Sequence, residues 1–283
     1  MSVFVSQYSE NCSFSNSESW VILSPIEQSI KRKIEAVGKP LKDWDINIYR
    51  GILTGYNEAF IIDGKKKDQL IAEDPKSAEI IRPILRGRDI KRYGYEFADL
   101  WLINTHNGIK EKGLKPIDIN NYHAIKSHLD NYYSQLEKRA DKGDTPYNLR
   151  NCAYMDDFYK QKIVWKRVGS ILRFSLDNEG TFALDSTCFA TGKHIEYLVC
   201  YLNSKIGNYL LKDSPKTGTG DLLISVQAIE PILAPLPTEE IEGTIKLILN
   251  NLISNEGDED LLNNTFYEIF ALDSEEIEFI DSQ

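Results

Sequence analysis

Between Ile80 and Tyr93 the chain reads IIRPILRGRDIKRY, and this stretch limits the possible fold more than any other. Five of its fourteen residues are basic (Arg82, Arg86, Arg88, Lys91 and Arg92), and only Asp89 opposes them. Ile80, Ile81, Ile84, Leu85 and Ile90 lie among the charges and need a core to cover them, so the stretch is anchored in a fold. Pro83 lacks an amide donor and Gly87 is conformationally loose, so no single helix or strand runs through. Two readings fit: a solvated, charged loop, or arginines held on a rigid turn and directed at an anion.

The net charge of −10 argues against a polyanion partner until it is divided along the chain. From Glu239 onward lie thirteen of the 43 carboxylates and one of the 33 basic residues, which leaves 32 basic side chains against 30 acidic in the preceding chain. Binding follows the local field near the phosphates, not the total charge. The acidic balance therefore permits DNA, and it keeps the tail away from it.

Other chemistry finds little support. Cys12, Cys152, Cys188 and Cys200 are far apart and form no CxxC pair, which fits thiols in a reducing cytoplasm. His106, His123, His128 and His194 show no metal-ligand spacing. There is no Walker loop, no HExxH and no GxSxG elbow, so no catalytic residue is assigned. Gly218-Thr219-Gly220 has the glycine content of a cofactor loop, but no clear strand precedes it. The first residues, MSVFVSQYSENCSF, lack the pattern of a secretory signal, and no apolar run reaches bilayer length, so no membrane partner is expected.

The periodicity predicts an α+β chain. Residues 1–19 are polar and read as a flexible lead-in. Ser24, Pro25 and Glu27 mark a helix start, with Ile26, Ile30, Ile34 and Val37 on one face and Gly38 and Pro40 as its stop. Asp45–Asp63 reads as two strands around a turn at Thr54–Asn57, and Gly64–Asp68 as an exposed turn. Leu100–Ile103 is a strand, Tyr122–Ala140 a helix, and Lys162–Arg173 a strand that turns at Gly169-Ser170. Residues 173–189 form two strand-like pieces around Asp177–Gly180. Ile195–Lys212 and two acidic segments, Glu239–Leu252 and Asp258–Leu272, are helical. The regular βαβ rhythm of a doubly wound sheet is absent.

Candidate anion contacts fall in four places. They are Tyr49, Arg50, Thr54, Tyr56 and Asn57; then Arg82, Arg86, Arg88, Lys91 and Arg92; then Lys166, Arg167, Ser170 and Arg173; and finally Lys212, Lys216 and Thr217. Arginine and lysine neutralise phosphates, and arginine also forks onto guanine edges. A different reading makes Asp156, Asp157 and Lys160 or Lys162 the acid–lysine site of a metal-dependent nuclease.

Several stretches carry a family likeness: IYRGILTGYNEAFIID (Ile48–Asp63), IIRPILRGRDIKRY (Ile80–Tyr93), KIVWKRVGS (Lys162–Ser170) and FALDSTCFATG (Phe182–Gly192). YLVCYLNSKIGNYLL (Tyr197–Leu211), the Thr217–Pro237 exit and the Asn263–Ile280 tail continue it. In these stretches the sequence resembles the TaqI-like C-terminal specificity domain of bacterial DNA methyltransferases and fused type II restriction–modification enzymes. The resemblance implies a mixed β-sheet target recognition domain over residues 20–238 with flanking helices, followed by an acidic helical region over 239–283. It implies sequence-specific binding of double-stranded DNA and presentation of an adenine for N6 methylation, with cleavage in some relatives. S-adenosylmethionine would belong to a methyltransferase domain or subunit outside this chain. The loops Thr54–Asn57, His106–Ile119, Asp141–Tyr154 and Lys212–Thr219 would complete the reading surface. An alternative is a specificity or interaction subunit that works in trans, docking through the helices at Tyr122–Ala140 and Glu239–Leu272.

Overall fold

The computed structural model describes residues 23–254 and 256–283; the lead-in at 1–19 and Cys12 lie outside them. Ser24 opens the Pro25–Val37 helix as its spacing predicts. The Ser24 amide donates to the Glu27 carboxylate (2.9 Å), and the Glu27 amide donates back to the Ser24 hydroxyl. Ile30 and Ile34 are the buried residues of its apolar stripe.

Two four-stranded sheets form the frame. In the first, the order is Ile46–Arg50, Thr187–Gly192, Lys162–Lys166, Phe174–Asp177, with every neighbour antiparallel. In the second, the order is Ile61–Asp63, Leu100–Ile103, Ile81–Leu85, Phe182–Ala183, and the last pairing is parallel. Side chains alternate across a strand, so a central strand feeds two cores. Ile163 and Trp165 enter one apolar cluster, while Val164 between them enters the other. The first cluster gathers the Pro25–Val37 helix, the Ile195–Asn203 helix and the C-terminal helices. The second gathers the second sheet and the His123–Asp130 helix. The chain is α+β.

Two expected hairpins do not form. Ile46–Arg50 pairs in the first sheet and Ile61–Asp63 in the second, with a short Asn57–Phe60 helix between them. Phe174–Asp177 and Phe182–Ala183 divide between the sheets in the same way. In both cases the chain passes through a left-handed glycine, Gly55 (φ 71°) and Gly180 (φ 69°), but each strand pairs with a distant partner. The crossing is close: a Cβ on Gly51 would lie 2.1 Å from the Leu184 carbonyl oxygen. The space beside Gly51 is taken up by the Ala183–Leu184 backbone.

Gly64–Asp68 is no turn but the start of the Gly64–Glu73 helix, because the Asp63 carboxylate caps the Lys66 amide and Leu70 is buried. The Tyr122–Ala140 segment breaks into His123–Asp130 and Tyr133–Lys138. Ile195–Lys212 breaks at Ser204, whose hydroxyl caps the second piece, Lys205–Leu211. The acidic C-terminal part holds Glu239–Ile253 and Glu259–Ile269, and a third helix, Ser274–Asp281, that its periodicity did not reveal. Their apolar faces join the first core, where Phe266 meets Tyr197 and Tyr201 edge-on at 5.6 and 5.2 Å.

Candidate nucleic-acid interface

The site is built where the first sheet ends. Trp165 and Phe174 form the last pair of their two strands, so residues 166–173 are the connection and Lys166 and Arg173 stand at its base. That connection is pinned on two sides. The Arg167 amide donates to the Ser186 carbonyl (3.0 Å), and the Ile224 amide donates to the Arg167 carbonyl (2.8 Å). Val168 and Gly169 pair with Leu223 and Leu222.

Arg88 approaches from the turn Gly87–Asp89. The Gly87 amide donates to the Ser186 hydroxyl (3.1 Å), and a Cβ at Gly87 would lie 2.8 Å from Lys166 Cγ. A side chain there would have to displace the lysine stem, which lies across the glycine. The result is a concavity of about 250 Å³ lined by Arg88, Lys166, Gly169, Ser170, Ile171 and Arg173. Among the described residues no carboxylate pairs with Arg88, Lys166 or Arg173. Three uncompensated cations around one basin concentrate a positive field.

The site continues on either side. Lys216 is exposed on a short hairpin, bridged to Leu222, whose return strand is the one paired with Val168–Gly169. Thr217 closes that hairpin through its amide and the Asp221 carbonyl (2.8 Å). In the other direction Arg50 reaches Asp185 (3.2 Å), next to Ser186. The Tyr154 hydroxyl donates to the Arg50 carbonyl (3.0 Å), and Tyr154 stacks on Tyr49 with ring centroids 4.3 Å apart. Burial and a hydrogen bond with Asp157 push the Tyr49 phenol up to about 12.

Two of the expected reading loops, Thr54–Asn57 and Asp141–Tyr154, are knitted together by a residue that the sequence did not single out. Arg139 is buried, and its guanidinium donates to the carbonyls of Thr54, Asp141, Pro146 and Asn148. Burial lowers its pKa to about 10. Asn107 ties the 106–119 loop to the Asp144 carboxylate (3.0 Å) and the Asp144 amide (2.8 Å). An isolated arginine after a helix carries no distinguishing spacing; only the folded carbonyls reveal its task. Thr54 is buried within this network and donates to Asn57 (2.5 Å), while the Tyr56 hydroxyl donates to Glu58 (2.7 Å).

The remaining basic candidates have partners inside the protein. Arg82 donates to the Tyr159 hydroxyl and to the carbonyls of Ala78, Glu79 and Ile81. Arg86 forks onto buried Asp89 at 3.1 and 2.8 Å. Lys91 pairs with Glu96 (3.1 Å). Arg92 turns to the C-terminal helices, meeting Glu259 (2.7 Å) and the Asn203 carbonyl (2.6 Å). Lys212 lies over the Tyr209 ring (4.3 Å) and donates to Gln283.

Of the acid–lysine arrangement only the Asp157–Lys160 pair forms, since Asp156 pairs with Lys112 and Lys162 is buried against Asp177. Among the described residues no group of three potential metal ligands forms, and no helix is long and apolar enough to cross a membrane. The Gly218–Gly220 segment is the tip of the Lys216–Leu222 hairpin, without the strand and helix N-terminus that cradle a cofactor phosphate.

A family model for the TaqI-like C-terminal specificity domain matches residues 82–232. No curated protein matches the chain. Among solved structures, the fold is similar to the Type IIL restriction-modification enzyme MmeI in complex with DNA, with a TM-score of 0.63 and 10% identity over 87% of this chain and 36% of that one. The type IIG restriction endonuclease BpuSI gives a TM-score of 0.49 and 14% identity over 86% of this chain and 32% of that one. The chain thus spans about a third of the length of either.

Proposed function

Because this chain belongs to the TaqI-like C-terminal specificity domain family, we propose that it recognises a target sequence in double-stranded DNA for a restriction–modification enzyme. The observation that carries this reading is the basin formed by Arg88, Lys166 and Arg173. Among the described residues none of the three has a carboxylate partner, and backbone pairing holds the segment that carries two of them. Phosphates of a duplex supply the missing countercharge. Arg50 and Lys216 extend the contact on either side, and Arg167 and Ser170 belong to the same pinned connection.

Base reading falls to the loops that Arg139 and Asn107 hold in place. Their backbone is fixed by buried hydrogen bonds, so their exposed side chains can differ between sequences without loss of the frame. Residues 20–238 serve as the recognition unit, and the acidic helices from Glu239 pack on the first core. Methylation of a target adenine on N6 is assigned to a methyltransferase domain or subunit outside these 283 residues, which would hold S-adenosylmethionine and the flipped base. A chain spanning about a third of its structural neighbours fits that division.

The test is fluorescence anisotropy with duplex DNA at several salt concentrations. Electrostatic binding through these cations makes the affinity fall steeply with salt, and each phosphate contact adds roughly 0.9 to the logarithmic slope. An affinity independent of salt would refute the reading.

A further inference from the structure

The connection that carries Lys166 and Arg173 also carries Ile171, which is 63% exposed. Single exposed apolar residues are ordinary on protein surfaces. This one differs in its surroundings. It lines the same basin as Arg88, Lys166, Ser170 and Arg173, and the backbone beneath it is held at Arg167, Val168 and Gly169. Isoleucine is β-branched and stiff at its first side-chain torsion, so it presents a short, rigid apolar tip. Among the described residues no carboxylate pairs with the three cations that surround it, so the apolar tip is flanked by positive charge open to the phosphates of the duplex.

We infer that Ile171 is a wedge that enters between neighbouring base pairs while Lys166, Arg173 and Arg88 hold the flanking phosphates. Apolar side chains inserted at a base step unstack it and kink the duplex. A domain that must deliver a base to a separate catalytic centre gains from opening the stack beside it, because extrusion costs less from a step already unstacked. The inference rests on the DNA reading above and assigns to Ile171 a positioning role within it.

The experiment compares an intact duplex of about thirty base pairs with the same duplex carrying one unpaired bulge, for the full chain and for Ile171→Ala. A bulge removes part of the unstacking cost, so the wild-type chain is expected to prefer the bulged duplex about tenfold. Ile171→Ala is expected to lose that preference and keep the wild-type salt slope, since no charge is removed. Ile171→Phe, which restores an apolar tip, is expected to recover it. The exposure of Ile171 leaves the fold intact in both variants, which circular dichroism verifies. An equal preference in wild type and Ile171→Ala, or no preference in the wild type, overturns the wedge while DNA binding stands. A wild-type chain that binds neither duplex in a salt-dependent way removes the DNA reading, and the wedge with it. Loss of binding to a protein partner in Ile171→Ala, with both duplexes bound as in the wild type, likewise overturns the wedge and makes the tip a protein contact.

Discussion

Lys162 and Asp177 stand directly opposite each other in neighbouring strands of the first sheet, both wholly buried, with their side chains in an ion pair. The pair is further satisfied from both ends. Lys162 donates to the Phe158 carbonyl (2.5 Å), while Asp177 accepts from the Tyr95 hydroxyl (2.8 Å) and the Thr181 amide (3.0 Å). Burial lowers the lysine's pKa and Asp177 opposes that shift. Removing one partner leaves the other charge buried and uncompensated. Lys162→Met is therefore expected to cost about 3–5 kcal/mol in urea unfolding. Adding Asp177→Asn should recover part of the loss. A Lys162→Met chain within about 1 kcal/mol of wild type would show that the pair adds nothing to the fold.

Arg86 and Arg88 lie two residues apart and should respond in opposite ways. Arg86 neutralises buried Asp89, so Arg86→Ala orphans a carboxylate and is expected to destabilise by about 1–3 kcal/mol. Arg88 is exposed with no carboxylate partner among the described residues. Arg88→Ala should leave the unfolding midpoint unchanged, weaken every DNA sequence alike and reduce the salt slope by about one. Thermal unfolding and anisotropy on the same two proteins check both halves.

Arg139→Lys keeps the charge and removes the fork. A lysine cannot reach the four carbonyls that the guanidinium satisfies from inside the 141–148 loop and at Thr54. The expected result is faster proteolytic cleavage within residues 141–148 and a loss of at least about 1 kcal/mol for the orphaned carbonyls. Discrimination between DNA sequences should fall more than total affinity does. Unchanged protease resistance would mean that the loop is held by other contacts.

His128 sets an acid limit to stability. Burial lowers its pKa, and its Nε2 meets the Ala59 carbonyl at 2.9 Å, which suits a neutral ring donating from that atom. The unfolded chain then binds more protons than the folded one in the range below the ordinary value of 6.5. Stability is complete above that value and falls as the pH drops toward the lower folded pKa. His106, half-buried and beside Arg82, acts in the same direction. Urea midpoints at neutral and mildly acid pH should show this decline, and His128→Gln should reduce it.

The residues of the candidate site were more legible than its shape. Arg88, Lys166, Ser170 and Arg173 stood out by type and sequence neighbourhood. Their convergence depends on a strand connection, a glycine turn and the Ser186 acceptor, which lie far apart in the chain. Arg86 could have been separated from Arg88 in advance, since Asp89 three residues on is a local cap. Arg92 could not, because its partner Glu259 belongs to a helix near the other end of the chain.

What the sequence determined by itself was local. The Ser24–Glu27 cap, the apolar stripes of the helices, the acidic tail and the basic run at Ile80–Tyr93 each follow from residues within a few positions of one another. Tertiary structure alone decided which strands pair. The two apparent hairpins, at Asp45–Asp63 and 173–189, both divide between the sheets. It also decided which cations stay free, through carboxylates and carbonyls brought in from distant segments. The reason is that strand pairing and charge pairing are settled by proximity in space, and an apolar strand or an arginine looks the same in sequence whichever partner it finds.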